Sequence, residues 1–161
     1  MYGVRPLPRP TSRRILDHDL AMTPRTALEE LQSQHGKLRE MMVICDELAD
    51  AIDAGGGDPA HLTREVAKLR IAFNAHNEFE EQILRPVLLE ADSFGEVRVE
   101  RMVNEHVDEH RAMGARLSGS PATADLREVL ANLRAHLDAE ERYFLSSRVL
   151  RDDLISVEGG G

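Results

Sequence analysis

Three short motifs in this sequence each place a helix-capping side chain directly before a proline. Threonine, aspartate and serine are favoured at the N-cap of a helix, and proline is favoured at its first turn. Each motif therefore predicts the start of a helix. The three motifs are Thr23-Pro24, Asp58-Pro59 and Ser120-Pro121.

Three further signals complete the predicted helix boundaries. Three consecutive glycines, residues 55–57, predict the end of the first helix, and Asp92 or Ser93 is a suitable cap for a helix between the second and third motifs. Pro86 lacks a backbone N–H and is expected to kink or end the second helix. The sequence thus predicts four helices joined by short loops.

Apolar residues follow these starts at intervals of three and four, as in helices that bury one face. Four amphipathic helices with short loops predict an all-α fold, an antiparallel up-down-up-down four-helix bundle. The first stripe is Leu28, Leu31, Leu38, Met42, Cys45, Ala49 and Ile52, and the second includes Leu62, Val66, Leu69, Phe73, Ile83 and Val87.

The ends of the chain differ in composition from its middle. Residues 1–22 are rich in proline and arginine and lack helical periodicity, which predicts a disordered or loosely docked N-terminal arm. Residues 23–150 are expected to form the bundle, and residues 151–161 a C-terminal tail that frays. A chain of 161 residues is long enough for one domain with its own core.

Charge and hydropathy exclude several classes of function. The net charge is −9, although the first fourteen residues carry four arginines and no acid. The remainder is therefore more acidic still, which argues against a nucleic-acid partner. No apolar run approaches the length of a membrane span. A single cysteine, Cys45, and the lack of a signal-peptide pattern predict a cytoplasmic protein.

Five of the seven histidines fall on the predicted apolar stripes, and several are paired with acids. Residues four apart on a helix share a face, with their Cβ atoms about 5–6 Å apart. This spacing occurs in His76 and Glu80, in His106 and His110, and in His136 and Glu140, while His35 stands alone on the first stripe.

These seven side chains predict a metal site. The middles of helices meet in an antiparallel bundle, and buried imidazoles and carboxylates without a cation would leave polar groups unsatisfied. Imidazole with carboxylate suits iron, zinc or manganese. Seven ligands exceed one tetrahedral zinc site but fit two six-coordinate ions. The Glu-x-x-His pattern of ferritin-like proteins is absent, because the residues three before His76, His106 and His136 are Phe73, Val103 and Leu133.

Two other interpretations compete with this one. The segment from His106 to His110 matches His-x-x-Glu-His, in which two histidines bind zinc and Glu109 would act as the base of a zinc hydrolase. Enzymes of that type need mixed α/β surroundings, and no strand pattern is present. A metal-free structural helical module is the second alternative.

The spaced histidines and acids resemble the hemerythrin-like, or HHE cation-binding, domain over about residues 24–150. The resemblance implies a four-helix bundle with two non-haem iron ions, bridged by carboxylates and by an oxo or hydroxo group. It further implies that dioxygen binds at the iron with fewer protein ligands. In this arrangement His106, His110 and His136 would hold one iron, His35 and His76 would hold the other, and Glu80 and a carboxylate of the fourth helix would bridge them.

The fourth-helix carboxylate departs from the oxygen carriers of the family, which have His-x-x-x-x-Asp. Glu140 lies four residues after His136, and Glu141 lies five after it, rotated by about 100°. Glu140 is the preferred ligand and Glu141 the alternative. Phe73, Phe79 and Tyr143 are expected to line the site, since a dry pocket slows oxidation.

The expected function is therefore binding of dioxygen or another small diatomic ligand. The change in the fourth helix leaves iron, oxygen or redox sensing, iron storage, and peroxide or nitric-oxide chemistry as alternatives at the same metals. A binding or sensing protein is favoured over a dedicated enzyme, and no catalytic residue is assigned.

Overall fold

The computed structural model describes residues 22–90, 108–118 and 122–144, and within these ranges every regular element is helical. The all-α prediction is confirmed for this part of the chain. No helix in it is long and apolar enough to cross a membrane. The elements are α1 (Pro24–Asp53), α2 (Pro59–Phe79), a π-helical segment (Glu80–Leu84), α3 (Arg85–Glu90), α4 (108–116) and α5 (Thr123–Phe144).

Two of the three predicted cap-and-proline starts are confirmed by hydrogen bonds. The hydroxyl of Thr23 accepts from the amide of Thr26 at 3.2 Å, and Pro24 is the first residue of α1. The carboxylate of Asp58 accepts from the amide of Ala60 at 2.9 Å. After α1, Gly55 has a φ of 83°, a left-handed conformation that favours glycine.

The third predicted start lies two residues too early. Helix α5 begins at Thr123, and the carbonyl of Ala122 accepts its first bond, from the amide of Leu126, at 2.9 Å. Thr123 also donates its hydroxyl hydrogen to Asp53 at the end of α1, at 2.7 Å. The predicted third-helix start near Asp92 and the two terminal segments lie outside the described residues, so those boundaries stay predictions.

Ion pairs show that α1 and α5 run in opposite directions. Arg127 contacts Asp53 at 2.7 Å near the end of α1, and Arg134 bonds to Asp46 further back along that helix. Nearer the start of α1, Arg39 contacts Asp138 at 2.7 Å. Residues further along α5 therefore contact residues nearer the start of α1, so the two helices are antiparallel.

Helix α4 is likewise antiparallel to both of its neighbours. Arg116 contacts Glu128 of α5 at 3.1 Å, and His110, earlier in α4, contacts His136 at 2.8 Å. On its other side, Ser118 accepts from Arg70 of α2 at 3.3 Å, while His110 lies 3.6 Å from Glu80. These contacts align the middles of four helical segments.

Buried apolar residues form two clusters, and polar residues lie between them. In α1, His35 separates Leu31 of the smaller cluster from Leu38 of the larger one. In α2, His76 likewise lies between Phe73 and Phe79. The smaller cluster consists of Ala27, Leu28, Leu31, Phe79, Leu84 and Leu88.

Cys45 belongs to the larger cluster and is completely buried. Burial, with a smaller effect of nearby acids, raises the pKa of its thiol to about 11. The thiol therefore stays protonated at neutral pH and serves as a small core side chain, as the sequence predicts.

The π-helical segment corrects the predicted stripe of the second helix. Ile83 is 38% exposed and Val87 is only partly buried, whereas Leu84 and Leu88 are completely buried. The amide of Arg85 donates to the carbonyl of Glu80, five residues back. One extra residue in this turn rotates the helix beyond it, so each buried position moves one residue along the chain.

Pro86 follows the π-helical segment by two residues and does not end the helical path, which continues as α3 to Glu90. The change in helix type takes place ahead of the proline. Pro86 therefore does not end the helix as predicted, and a widened turn begins instead at Glu80, a residue of the predicted metal site.

Candidate metal centre

Six of the seven predicted site residues meet in the interior, between the two apolar clusters. Each is at most 6% exposed, although all six are polar or ionisable. They come from α1, α2, the π-helical segment, α4 and α5, so the tertiary fold assembles them. They are His35, His76, Glu80, His110, His136 and Glu140, whereas His106 lies outside the described residues.

Glu140 lies at the centre of this group, and its two oxygens face different histidines. Oε2 is 3.0 Å from Nε2 of His35 and 3.4 Å from Nε2 of His76. Oε1 is 2.6 Å from Nε2 of His136 and 3.8 Å from Nε2 of His110. One carboxylate is therefore shared between two pairs of imidazoles.

Glu80 also lies between the two pairs. Its Oε2 is 3.8 Å from Nε2 of His76 and 3.6 Å from Nε2 of His110. Among the described residues, both oxygens of Glu80 and the Nε2 atom of His76 lack a hydrogen-bond partner. Buried polar groups without partners are costly, and a cation would satisfy all three atoms.

The histidine rings turn Nε2 inward and Nδ1 outward. Nδ1 of His35 donates to Glu141 at 3.0 Å, and Nδ1 of His76 donates to Gln34 at 3.3 Å. A ring that donates through Nδ1 in its neutral form keeps a lone pair on Nε2. A lone pair 3.0 Å from a carboxylate oxygen is repelled unless a proton or metal ion lies between them, so the geometry at His35 fits a cation.

The spacing of the donor atoms also suits metal ions. Single ligand atoms from His76, Glu80, His136 and Glu140 all lie within 4.8 Å of one another. Two nitrogens at right angles on one ion, each about 2.1 Å away, are about 3 Å apart. The Nε2 atoms of His110 and His136 are 2.8 Å apart, as expected if both face the same ion.

Glu141, the alternative ligand, lies on the outer side of His35. Its Oε1 contacts Nδ1 of His35 at 3.0 Å and Nη1 of Arg39 at 2.6 Å, and its side chain is 32% exposed. Glu140 and Glu141 thus occupy opposite sides of the same imidazole. The rotation of about 100° between adjacent helical residues accounts for this difference.

Of the two predicted pocket residues whose side chains the structure describes, Phe73 lies against the histidines. Its ring centroid is 5.6 Å from that of His110 and 6.2 Å from that of His76. Phe79 packs in the smaller apolar cluster. Tyr143 lies in α5, but its side chain is outside the described part of the structure.

The outer partners of the histidines are not among the predicted site residues, although the sequence contains a signal for them. Each partner is the chain neighbour of a predicted ligand and reaches the histidine of another helix. Gln34 precedes His35 but contacts His76, and Glu141 follows Glu140 but contacts His35. Glu109 precedes His110, and its carboxylate is 3.7 Å from Nδ1 of His136.

The position of Glu109 bears on the zinc-hydrolase alternative. Its side chain is 61% exposed and faces the outer nitrogen of His136 rather than the central carboxylates. A general base must reach the water that it activates. In the described structure, the carboxylate of Glu109 lies instead on the outer side of His136.

The two central glutamates have opposite pKa shifts. Burial, reinforced by the negative charge of Glu140, raises the pKa of Glu80 well above its usual value. Burial also acts to raise the pKa of Glu140, but the surrounding imidazoles of His110, His136, His35 and His76 outweigh it and lower that pKa well below its usual value. Burial lowers the pKa of His76. Without a cation, an ionised Glu80 therefore destabilises the fold.

The variant Glu80→Gln is accordingly expected to stabilise the metal-free protein at pH 7–8. Because the pKa of Glu80 is raised, its ionised form destabilises the folded state at high pH. This penalty vanishes below about pH 4.5, because 4.5 is the pKa of a glutamate in the unfolded chain. We expect a melting temperature at least about 2 °C higher than that of the parent, since 1 kcal/mol corresponds to roughly 2–4 °C in a domain of this size.

Thermal unfolding of both metal-free proteins from pH 8 to pH 4 measures this effect. The difference should shrink as the pH falls towards 4.5, because Glu80 of the parent then becomes protonated in both the folded and the unfolded state. Equal stabilities at every pH would contradict the expectation.

Comparison with protein families identifies the chain. The family model described as the hemerythrin HHE cation binding domain matches residues 26–146. Comparisons with curated proteins and with solved structures gave no match. The matched range contains all six residues of the buried histidine and glutamate cluster, and it covers most of the sequence. The chain therefore belongs to the hemerythrin HHE cation-binding domain family.

Proposed function

We propose that this chain binds two non-haem iron ions and, through them, dioxygen or another small diatomic ligand. The observation that carries the proposal is the shared carboxylate of Glu140. Oε2 faces His35 and His76, and Oε1 faces His110 and His136. Two groups of imidazoles on opposite oxygens of one carboxylate suit a pair of bridged ions better than a single ion.

The ligands divide into two groups on this basis. His35 and His76 would hold one iron, and His110 and His136 would hold the other together with His106, which lies outside the described residues. Glu80 and Glu140, which lie between the two pairs of imidazoles, would supply carboxylate oxygens to the site. The antiparallel contacts of α1 with α5, and of α4 with α2 and α5, support an up-down-up-down bundle around this site.

Ligand chemistry supports iron as the metal. Imidazole with carboxylate is a donor set that iron accepts in both common oxidation states, and seven side chains leave positions open on two six-coordinate ions. When bound, the iron pair would supply electrons and an open position for a small ligand. The protein's own contribution is to hold the imidazoles and to exclude water, with Phe73 against the rings of His76 and His110.

A second candidate function is sensing, iron storage or redox chemistry with peroxide or nitric oxide at the same metals. The observation that favours it is the identity of the α5 carboxylate. Glu140 lies four residues after His136, whereas oxygen carriers of the family place an aspartate five residues after the histidine. The central position of Glu140 between both imidazole pairs makes this difference directly relevant to the ions.

Elemental analysis of protein purified without added metal tests the shared part of both functions. We expect about two iron atoms per chain, since the four described histidines form two pairs that face opposite oxygens of Glu140. Reduction without oxygen followed by exposure to air should produce a visible absorption band that disappears when oxygen is removed. Zinc in place of iron would overturn the proposal, and irreversible oxidation without a reversible band would favour the second candidate.

A further inference from the structure

The outer side of His35 carries a chain of charged contacts that links α1 to α5. Nδ1 of His35 donates to Oε1 of Glu141 at 3.0 Å. The same oxygen accepts from Nη1 of Arg39 at 2.6 Å, and Nη2 of Arg39 donates to Asp138 at 2.7 Å. Arg39 thus binds two carboxylates three residues apart on α5 and fixes the position of Glu141.

This chain of contacts restricts the rotation of the His35 ring. His35 is completely buried, and Nε2 lies 3.0 Å from Oε2 of Glu140 on the opposite side of the ring. When Nδ1 of a neutral His35 donates to Glu141, the lone pair on Nε2 is directed towards the centre of the site, where it is available to a metal ion. Such outer partners orient a metal-bound imidazole and increase its basicity.

The other described outer contacts are weaker or neutral. His76 donates to the amide oxygen of Gln34 at 3.3 Å, so its partner carries no charge. The carboxylate of Glu109 is 3.7 Å from Nδ1 of His136, beyond hydrogen-bond distance, and its side chain is 61% exposed. The contact of Glu141 with His35 combines a charge, a hydrogen bond and an arginine that holds it in place.

We propose that Glu141, held by Arg39, is a positioning residue for His35 and thereby strengthens one of the two metal sites selectively. The site concerned is the one on the side of Oε2 of Glu140, where His35 and His76 lie. Glu141 acts through His35 and touches no ion itself. This inference rests on the proposed function, because it assumes two bound ions.

Three variants test the proposal. Glu141→Ala removes the acceptor, and Glu141→Gln keeps an oxygen acceptor while removing the charge. Arg134→Ala is the matched control, because Arg134 forms a comparable α1–α5 ion pair with Asp46 that does not contact the site. Each protein is loaded with iron, titrated with a competing chelator and analysed for the iron that remains, and the metal-free forms are melted for comparison.

In Glu141→Ala, one of the two iron atoms should be lost at about 10–100-fold lower chelator concentration, the range typical for removal of an outer partner. The other iron should resist as in the parent. Glu141→Gln should recover part of this resistance, and Arg134→Ala should retain both ions as the parent does. The metal-free melting temperatures of Glu141→Ala and Arg134→Ala should fall by similar small amounts.

Three results would overturn the proposal. They are equal chelator resistance of Glu141→Ala and the parent, equal weakening of both ions in Glu141→Ala, and the same iron loss in Arg134→Ala. The last result would mean that Glu141 only joins the two helices. The failure of the proposed function is distinguishable, since the parent protein would then bind no iron pair at all.

Discussion

If the chain binds two iron ions as proposed, the variant Glu140→Gln is expected to lose both, with an affinity more than about 100-fold below that of the parent. Both oxygens of Glu140 face imidazoles, Oε2 towards His35 and Oε1 towards His136, so one substitution weakens both sites. Loss of an outer partner costs about 10–100-fold, and loss of a shared anionic ligand should cost more. Iron content after titration with a chelator measures the effect.

The substitution Glu128→Gln is the matched control, because it removes the same charge from the same helix. Glu128 is 66% exposed and pairs with Arg116 at the surface. This control should bind iron as the parent does. If Glu140→Gln retained two irons with the chelator resistance of the control, the shared-carboxylate arrangement would be rejected.

The metal-free form of Glu140→Gln should also be less stable than the parent at neutral pH. The pKa of Glu140 is lowered well below its usual value, despite burial, by the surrounding imidazoles. The ionised carboxylate of Glu140 therefore stabilises the folded state above about pH 4.5, and this stabilisation is lost as the pH falls through the lowered pKa. Glu80→Gln should have the opposite effect at pH 7, so the two variants together test the pKa shifts.

Two single-residue deletions in the second helical path should differ greatly in their effect on folding. Ile71 lies in the regular part of α2 and is 66% exposed. Its deletion should leave a protein that does not fold properly and therefore shows no cooperative unfolding transition. It would rotate His76 and Glu80 by about 100° relative to Leu62 and break the shared buried face. The resulting loss in the free energy of unfolding should exceed the roughly 4–5 kcal/mol caused by the most damaging point mutations.

Deletion of Gln82, exposed within the π-helical segment, should leave a folded protein. The bond from the Arg85 amide to the Glu80 carbonyl would then span four residues instead of five, as in an α-helix. Leu84 and Leu88 would remain on the buried face. Pro86 would lie in a regular turn at a cost of about 3 kcal/mol, which Pro86→Ala in the same background should partly restore.

Circular dichroism during thermal unfolding separates the two deletions. Cooperative unfolding after deletion of Gln82, together with its loss after deletion of Ile71, is the expected outcome. Equal loss of structure in both proteins would show that the widened turn at Glu80 does not absorb an extra residue.

The sequence by itself determined features that depend on one helix at a time. The caps at Thr23 and Asp58 are local hydrogen bonds, so residue type and the following proline were sufficient to predict them. The placement of His76 and of His136 on buried stripes follows from the spacing of apolar residues within each helix. Local spacing also predicted a shared face for His136 and Glu140, whose nearest atoms are 2.6 Å apart.

Only the tertiary structure decided relations between helices. It placed Glu140 between the imidazoles and Glu141 behind His35, because the rotation of α5 against α1 is set by packing. It also replaced Ile83 by Leu84 in the core, since a π-helical turn changes the register without a clear signal in the local sequence. Spacing along a chain defines the face of one helix, but the packing of several helices defines which atoms meet.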